Sequence, residues 1–237
     1  MRRWRAPGVA CAAAAVLASV PALAGGATPA PTGPPPITGV STALARFAGI
    51  PSEGMVLGRP GAPVRVTEYA DLGCPHCAHA SPGVVRRIVR RYIRPGRASF
   101  RLRVVGFVAP WSPSAAIATH AAAAQGMAWP FATAVLANQG PETADPSDMA
   151  PVLEEIARRL GLDVERWRAD LEAAGPADAF ARDERRAGAD GILGVPTFVL
   201  SGPRGRRMLI GDVGIRRFAA AYAAVAPRPR PTPRAGP

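Results

Sequence analysis

Apolar and polar residues first alternate in VRVTEYA (64–70), whose β-branched content and period of two predict a half-buried strand. The period then changes. In VVRRIVRRYIRP, Val84, Val85, Ile88, Val89 and Tyr92 fall on one helical face, with Arg86, Arg87, Arg90 and Arg91 opposite. Pro82 stands near the start of this helix and is expected to kink it. SFRLRVVGF (99–107) returns to strand character, which completes a β-α-β unit.

Residues 112–190 read as helical. An Ala-rich stretch from Ser114 is interrupted by Gly126 and Pro130, and Ser147 to Leu160, Val164 to Ala174 and Ala177 to Ala189 follow. Strands resume with PTFVLS (196–201) and RRMLIG (206–211) around the turn-forming Gly202-Pro203-Arg204-Gly205, and Ile215 to Ala226 forms a last amphipathic helix. The order is β-α-β, helical block, β-β-α. It predicts an α/β sheet assembled from both ends of the chain around an all-helical insert.

The termini differ in composition. Arg2, Arg3 and Arg5 precede an apolar stretch that ends at Ala22-Leu23-Ala24, the pattern of a secretory signal over residues 1–24, with an uncleaved membrane anchor as the alternative. Residues 25–50 begin as a Pro/Gly-rich linker, with one short helix expected over Ser41 to Ala48, and the Pro/Arg-rich residues 226–237 read as a solvated tail. The domain is therefore expected over 51–225. The net charge of +12 falls to +9 without Arg2, Arg3 and Arg5. Every basic residue is Arg, and Ala, Gly and Pro abound, so the charge reflects codon bias and no nucleic-acid partner is inferred from it.

Beyond the signal only Cys74 and Cys77 remain, in DLGCPHCAHA (71–80). A disulfide across two intervening residues closes almost no loop and adds little stability, so the pair is read as functional. A closed zinc site on Cys74, His76, Cys77 and His79 would ordinarily draw a second ligand pair from elsewhere, where only His120 is present, and no metal is assigned. Haem attachment needs His directly after the second Cys, where Ala78 stands. At the first turn of a helix the unpaired N–H groups stabilise a thiolate on Cys74, Pro75 loses nothing, and His76 adds a donor or a charge beside the sulfur. A fall of the thiol from ~8.5 to ~4 would favour the reduced form at pH 7 by roughly 4 kcal/mol, or about 90 mV.

The segments GIPSEGMVLGRPGAPVRVTEYADLGCPHC (49–77), AAAAQGMAWPFATAVLANQG (121–140), LGLDVERW (160–167) and GVPTFVL (194–200) together resemble the DsbA-like branch of the thioredoxin superfamily, over about Gly49 to Ala224. The resemblance implies a thioredoxin fold with an inserted helical domain. It makes Cys74 the nucleophile, Cys77 the resolving thiol, His76 the tuning residue and Pro196 a cis-proline beside the pair. Val195 and Thr197 would then flank the client peptide, with the Val195 backbone bridging to it, and Glu68 would be a buried acid for proton transfer, against the alternative of a surface strand carboxylate. It further implies a monomeric disulfide-donating enzyme that needs no cofactor beyond the Cys74/Cys77 disulfide. Reduced, exported clients and a membrane quinone-linked oxidant would be its partners. An isomerase or reductant, and a peptide-binding chaperone module with incidental redox chemistry, are the competing readings. His79 is expected to be exposed, His120 to be explained by packing or solvent, and Trp111, Trp129 and Trp167 to belong to the core.

Overall fold

A computed structural model of the chain describes residues 35–228. The signal segment, the first part of the linker and the end of the Pro/Arg tail lie outside them. Strands β1 (Ser52–Glu53), β2 (Val56–Leu57), β3 (Val64–Asp71), β4 (Ala98–Val105), β5 (Thr197–Gly202) and β6 (Gly205–Ile210) form one sheet in the order β1-β2-β4-β3-β5-β6. β3 and β4 run parallel from Val64↔Ala98 to Asp71↔Val105, while β5 is antiparallel to β3 and β6 to β5. The parallel pair needs a crossover, which the helical segment between β3 and β4 supplies. The β1–β2 hairpin on the β4 edge is too short for any period to show in the sequence.

That crossover begins earlier than Val84. It runs through α2 (Pro75–Ala80), a π-helical turn at Ser81–Val85, α3 (Arg86–Ile88) and a second π-helical turn at Val89–Ile93. Instead of a simple kink, the chain absorbs Pro82 in the wider turn. Arg46 covers this spot, donating to the Ser81 carbonyl at 3.0 Å and to its hydroxyl at 3.1 Å. The apolar pairs of VVRRIVRRYI recur every four residues, a spacing that drifts by about 40° per pair on a helix of 3.6 residues per turn. Wider π turns offset the drift, so Val84, Val85, Ile88, Val89, Tyr92 and Ile93 are all buried while the four arginines are exposed.

The insert contains α4 (Ser112–Ala123), α5 (Ala128–Ala137), α6 (Pro146–Arg159), α7 (Val164–Glu172) and α8 (Ala174–Asp190), and α9 (Ile215–Val225) closes the described chain. Gly126, at φ 74°, does separate two helices, because only glycine enters that region without strain. Pro130 does not interrupt: it is the third residue of α5, where its absent N–H had no helical partner. Asp145 and Asp148 form a capping box on α6, and Asp163 caps α7. Trp111, Trp129 and Trp167 are buried, with Trp129 beside Phe100 (4.5 Å between ring centroids) and Trp167 beside Phe131 (5.9 Å). No helix among the described residues is long and apolar enough to cross a membrane.

The domain also starts before residue 51. Helix α1 (Val40–Phe47) packs on α5, Phe47 lies 5.8 Å from Trp129, and Ile37 and Ile50 are buried. Asn138 bonds both the N–H and the carbonyl of Thr38 at 2.9 Å. The Pro/Gly-rich composition of 25–36 conceals this because the apolar residues that follow are few and are buried only through tertiary contact. Phe47→Ala is expected to lower the unfolding free energy by about 3 kcal/mol or more in urea titration, as for a buried aromatic. A linker residue would leave it unchanged.

Candidate functional site: a cysteine pair at a helix start

β3 delivers the chain to the site at Asp71. Its carboxylate accepts from Gly73 N–H (2.8 Å) and the Ser112 hydroxyl (2.5 Å) on one oxygen, and from Phe107 and Val108 N–H (both 2.8 Å) on the other. A Cβ on Gly73 would stand 2.5 Å from the Ser112 oxygen, so the tight approach demands glycine. Gln139 reaches in from beyond α5 and donates to the carbonyls of Leu72 (2.6 Å) and Cys74 (3.0 Å). Sequence reasoning missed both residues. An acid between a strand and the cysteines was a usable signal for Asp71, whereas Gln139 had none.

Held in this way, Cys74 is the N-cap of α2 with extended backbone (φ −83°, ψ 121°), and Pro75 opens the helix. The two sulfurs occupy different environments. Cys74 is 5 % exposed and Cys77 fully buried, and both are free thiols. Cys74 is lowered to about 6, chiefly by accepting a hydrogen bond from the Cys77 thiol, then by the backbone N–H groups of Cys77 and His76 and the His76 charge, against the opposing effect of burial. Cys77 is pushed far up, first because it is the donor in that bond and then by burial and the Cys74 charge. The His76 side chain lies at the exposed start of the helix. A value of about 6 stabilises the reduced form at pH 7 by about 1.4 kcal/mol, or ~30 mV, a smaller gain than a thiol at ~4 would bring.

The Val195–Pro196 peptide bond is cis, and the Val195 carbonyl accepts from the Cys74 thiol at 3.8 Å. Pro196 is buried, and its carbonyl takes the Gly211 N–H at 2.7 Å. Thr197 requires a correction. It is fully buried, and its hydroxyl donates to the Gly194 carbonyl at 2.6 Å, so it braces the loop instead of facing a client. Glu68 is 3 % exposed, which removes the surface reading, and burial pushes it up to about 8. Beside it a cavity of about 10 Å³, room for one water, is lined also by Ser81 and Thr133. Three large apolar side chains stand exposed around this end of the sheet: Phe107 (58 %), Leu193 (92 %) and Ile210 (55 %). Phe107 is held by Asp71, Leu193 precedes Val195 by two residues, and Ile210 pairs with Thr197.

The other histidines lie apart from the sulfurs. His79 is exposed and pairs with Asp212, and His120 is packed 3.2 Å from Asp183 between α4 and α8.

A family model described as thioredoxin matches residues 51–206. The chain belongs to the thioredoxin family. The chain is similar in fold to solved DsbA structures, with a helical block inserted between β4 and β5. It is 35 % identical over 158 residues to the Na(+)/H(+) antiporter NhaA 3 of Salinispora tropica, a match that covers 65 % of this chain and 22 % of that protein. It is 27 % identical to a probable disulfide bond formation protein D of Bacillus cereus, over 62 % of this chain and 69 % of the relative. A thioredoxin-like oxidoreductase of Silicibacter pomeroyi superposes with a TM-score of 0.59 at 26 % identity, covering 76 % of this chain and 94 % of that one. The chain thus spans about a fifth of the antiporter and about two thirds of the disulfide-formation relative.

Two outcomes follow for this pair of sulfurs and the acid beneath it. The ultraviolet thiolate absorbance of the reduced protein should titrate with a midpoint near pH 6, and His76→Ala should move it upward. Glu68 keeps its proton in the fold up to about pH 8 but loses it near 4.5 when unfolded, so stability falls as pH rises between those values, by up to about 5 kcal/mol. Glu68→Gln should flatten that dependence in urea titrations across the same window.

Proposed function

We propose that the chain is an exported thiol:disulfide oxidase that donates the Cys74/Cys77 disulfide to reduced clients. The observation that carries this reading is the division between the two sulfurs: a thiol that ionises near neutral pH at the N-cap of α2, backed by a buried one that does not.

In the oxidised protein a client thiolate attacks Cys74 Sγ. The Cys74–Cys77 bond breaks, a client–Cys74 disulfide forms, and Cys77 leaves as a thiolate that takes up a proton. Glu68, protonated at pH 7 on the strand beneath, is suited to supply it. A second client thiolate then attacks the client sulfur and expels Cys74, which is the more acidic thiol and therefore the better leaving group. Two electrons pass from client to enzyme. Val195 offers its backbone beside Cys74 for an extended peptide, and Phe107, Leu193 and Ile210 give that peptide apolar contacts. The signal-like residues 1–24 support an extracytoplasmic location, where a membrane quinone-linked thiol oxidase would restore the disulfide.

The test is the Cys74/Cys77 reduction potential in a glutathione series, read by thiol alkylation. A value displaced from about −270 mV toward about −120 mV supports disulfide donation, and one near −270 mV would make the protein a reductant. Cys74→Ser should abolish disulfide transfer to a reduced client. Transfer retained in that variant would remove the assignment.

A further inference from the structure

The face of the sheet away from α2 contains a cleft of about 820 Å³, bounded by the β1–β2 hairpin, β3, β4, β5, β6 and the end of α8. Strand register sets its floor. Arg65 lies between Ser99 and Ser201 on the neighbouring strands, and one row along Thr67 lies between Arg101 and Val199. The next row is covered by α8, where Asp190 accepts from the Tyr69 hydroxyl at 2.5 Å and Asp183 pairs with Arg103. α8 ends there and leaves the first two rows open.

Charge in the cleft is unbalanced: five arginines line it against Glu53 and Asp190. Asp190 is shared by Arg186 and Arg206, and Arg103 is held by Asp183. Arg65 and Arg101 are left without a carboxylate partner among the described residues. They are diagonal neighbours on adjacent strands, within reach of one bound anion for side chains of this length. Burial and the Arg103 charge lower Arg101, against the opposing pull of Asp183, which is bonded to Arg103. Guanidinium forks match the oxygens of a phosphoryl group bidentately, and Ser99, Thr67 and Ser201 add hydroxyl donors to the floor. The volume is that of a small-molecule pocket and exceeds what a single phosphate fills.

We propose that this cleft binds a soluble small molecule carrying two or more phosphoryl groups, gripped by Arg65 and Arg101. The concave shape behind the hairpin favours a free molecule over the surface of a membrane. The site lies on the opposite face from Cys74 and does not depend on the redox reading.

Isothermal titration of the full chain with sodium tripolyphosphate tests it. Saturable binding is expected, weaker at higher salt and weakened at least about tenfold in the Arg65→Gln/Arg101→Gln double variant. Arg90→Gln, on the exposed arginine stripe, should bind as the unaltered protein does, and disulfide transfer by the double variant should be unchanged. Circular dichroism checks folding, and the two single variants are read in place of a double variant that does not fold. Absence of saturable heat overturns the proposal, as does equal weakening by Arg90→Gln. Citrate binding as tightly as tripolyphosphate would overturn the phosphoryl assignment, and capture by phosphatidylglycerol vesicles without tripolyphosphate binding would make the face a membrane contact.

Discussion

The buried carboxylate of Asp71, at the end of β3, ties together three pieces of chain around the cysteine pair. Its oxygens take donors from the loop before Cys74, from Phe107 and Val108 in the loop after β4, and from the first residue of α4. A carboxylate removed from water costs several kcal/mol unless its lone pairs are engaged, and here four donors engage them. The same four bonds fasten the thioredoxin sheet to the helical insert and fix where β3 stops. Gln139, arriving from the insert, holds the carbonyls on either side of Gly73. Cys74 therefore meets the start of α2 in one orientation, with its sulfur toward Val195.

From that placement the chemistry of the sulfurs follows. The one at the N-cap receives the Cys77 thiol and two backbone N–H groups, while the one a turn later is buried and must act as their donor. A pair alike in sequence becomes a ready nucleophile and a reluctant one through position alone. Glu68 extends the asymmetry, since burial keeps it protonated where an exposed carboxylate would be charged.

The two faces of the sheet are used differently. One packs against α2, α3 and α9 and carries Glu68 toward the cysteines. The other is covered by α8 only where Asp183 and Asp190 engage Arg103 and Tyr69, and its remaining rows present arginines and hydroxyls to an open cleft. In the sequence these arginines look like the outward residues of half-buried strands. Only the register of three strands gathers them.

Local pattern was enough for the parts of this protein whose physics is local. Alternation in 64–70 and 99–107, the helical stretches of the insert, and Cys-Pro-His-Cys after a strand are consequences of side-chain period and helix-terminus geometry, both readable along a single segment. The resemblance carried by Gly194-Val195-Pro196 brought the second half of the site to the first. Tertiary structure decided what depends on residues far apart in the chain. Asp71 and Gln139 acquire their roles across 41 and 67 residues, to Ser112 and Leu72 respectively. Thr197 turns inward because the loop needs its hydroxyl, and α1 joins the core because Phe47 meets Trp129. Burial and long-range hydrogen bonding are properties of the assembled fold, so no window of sequence contains them.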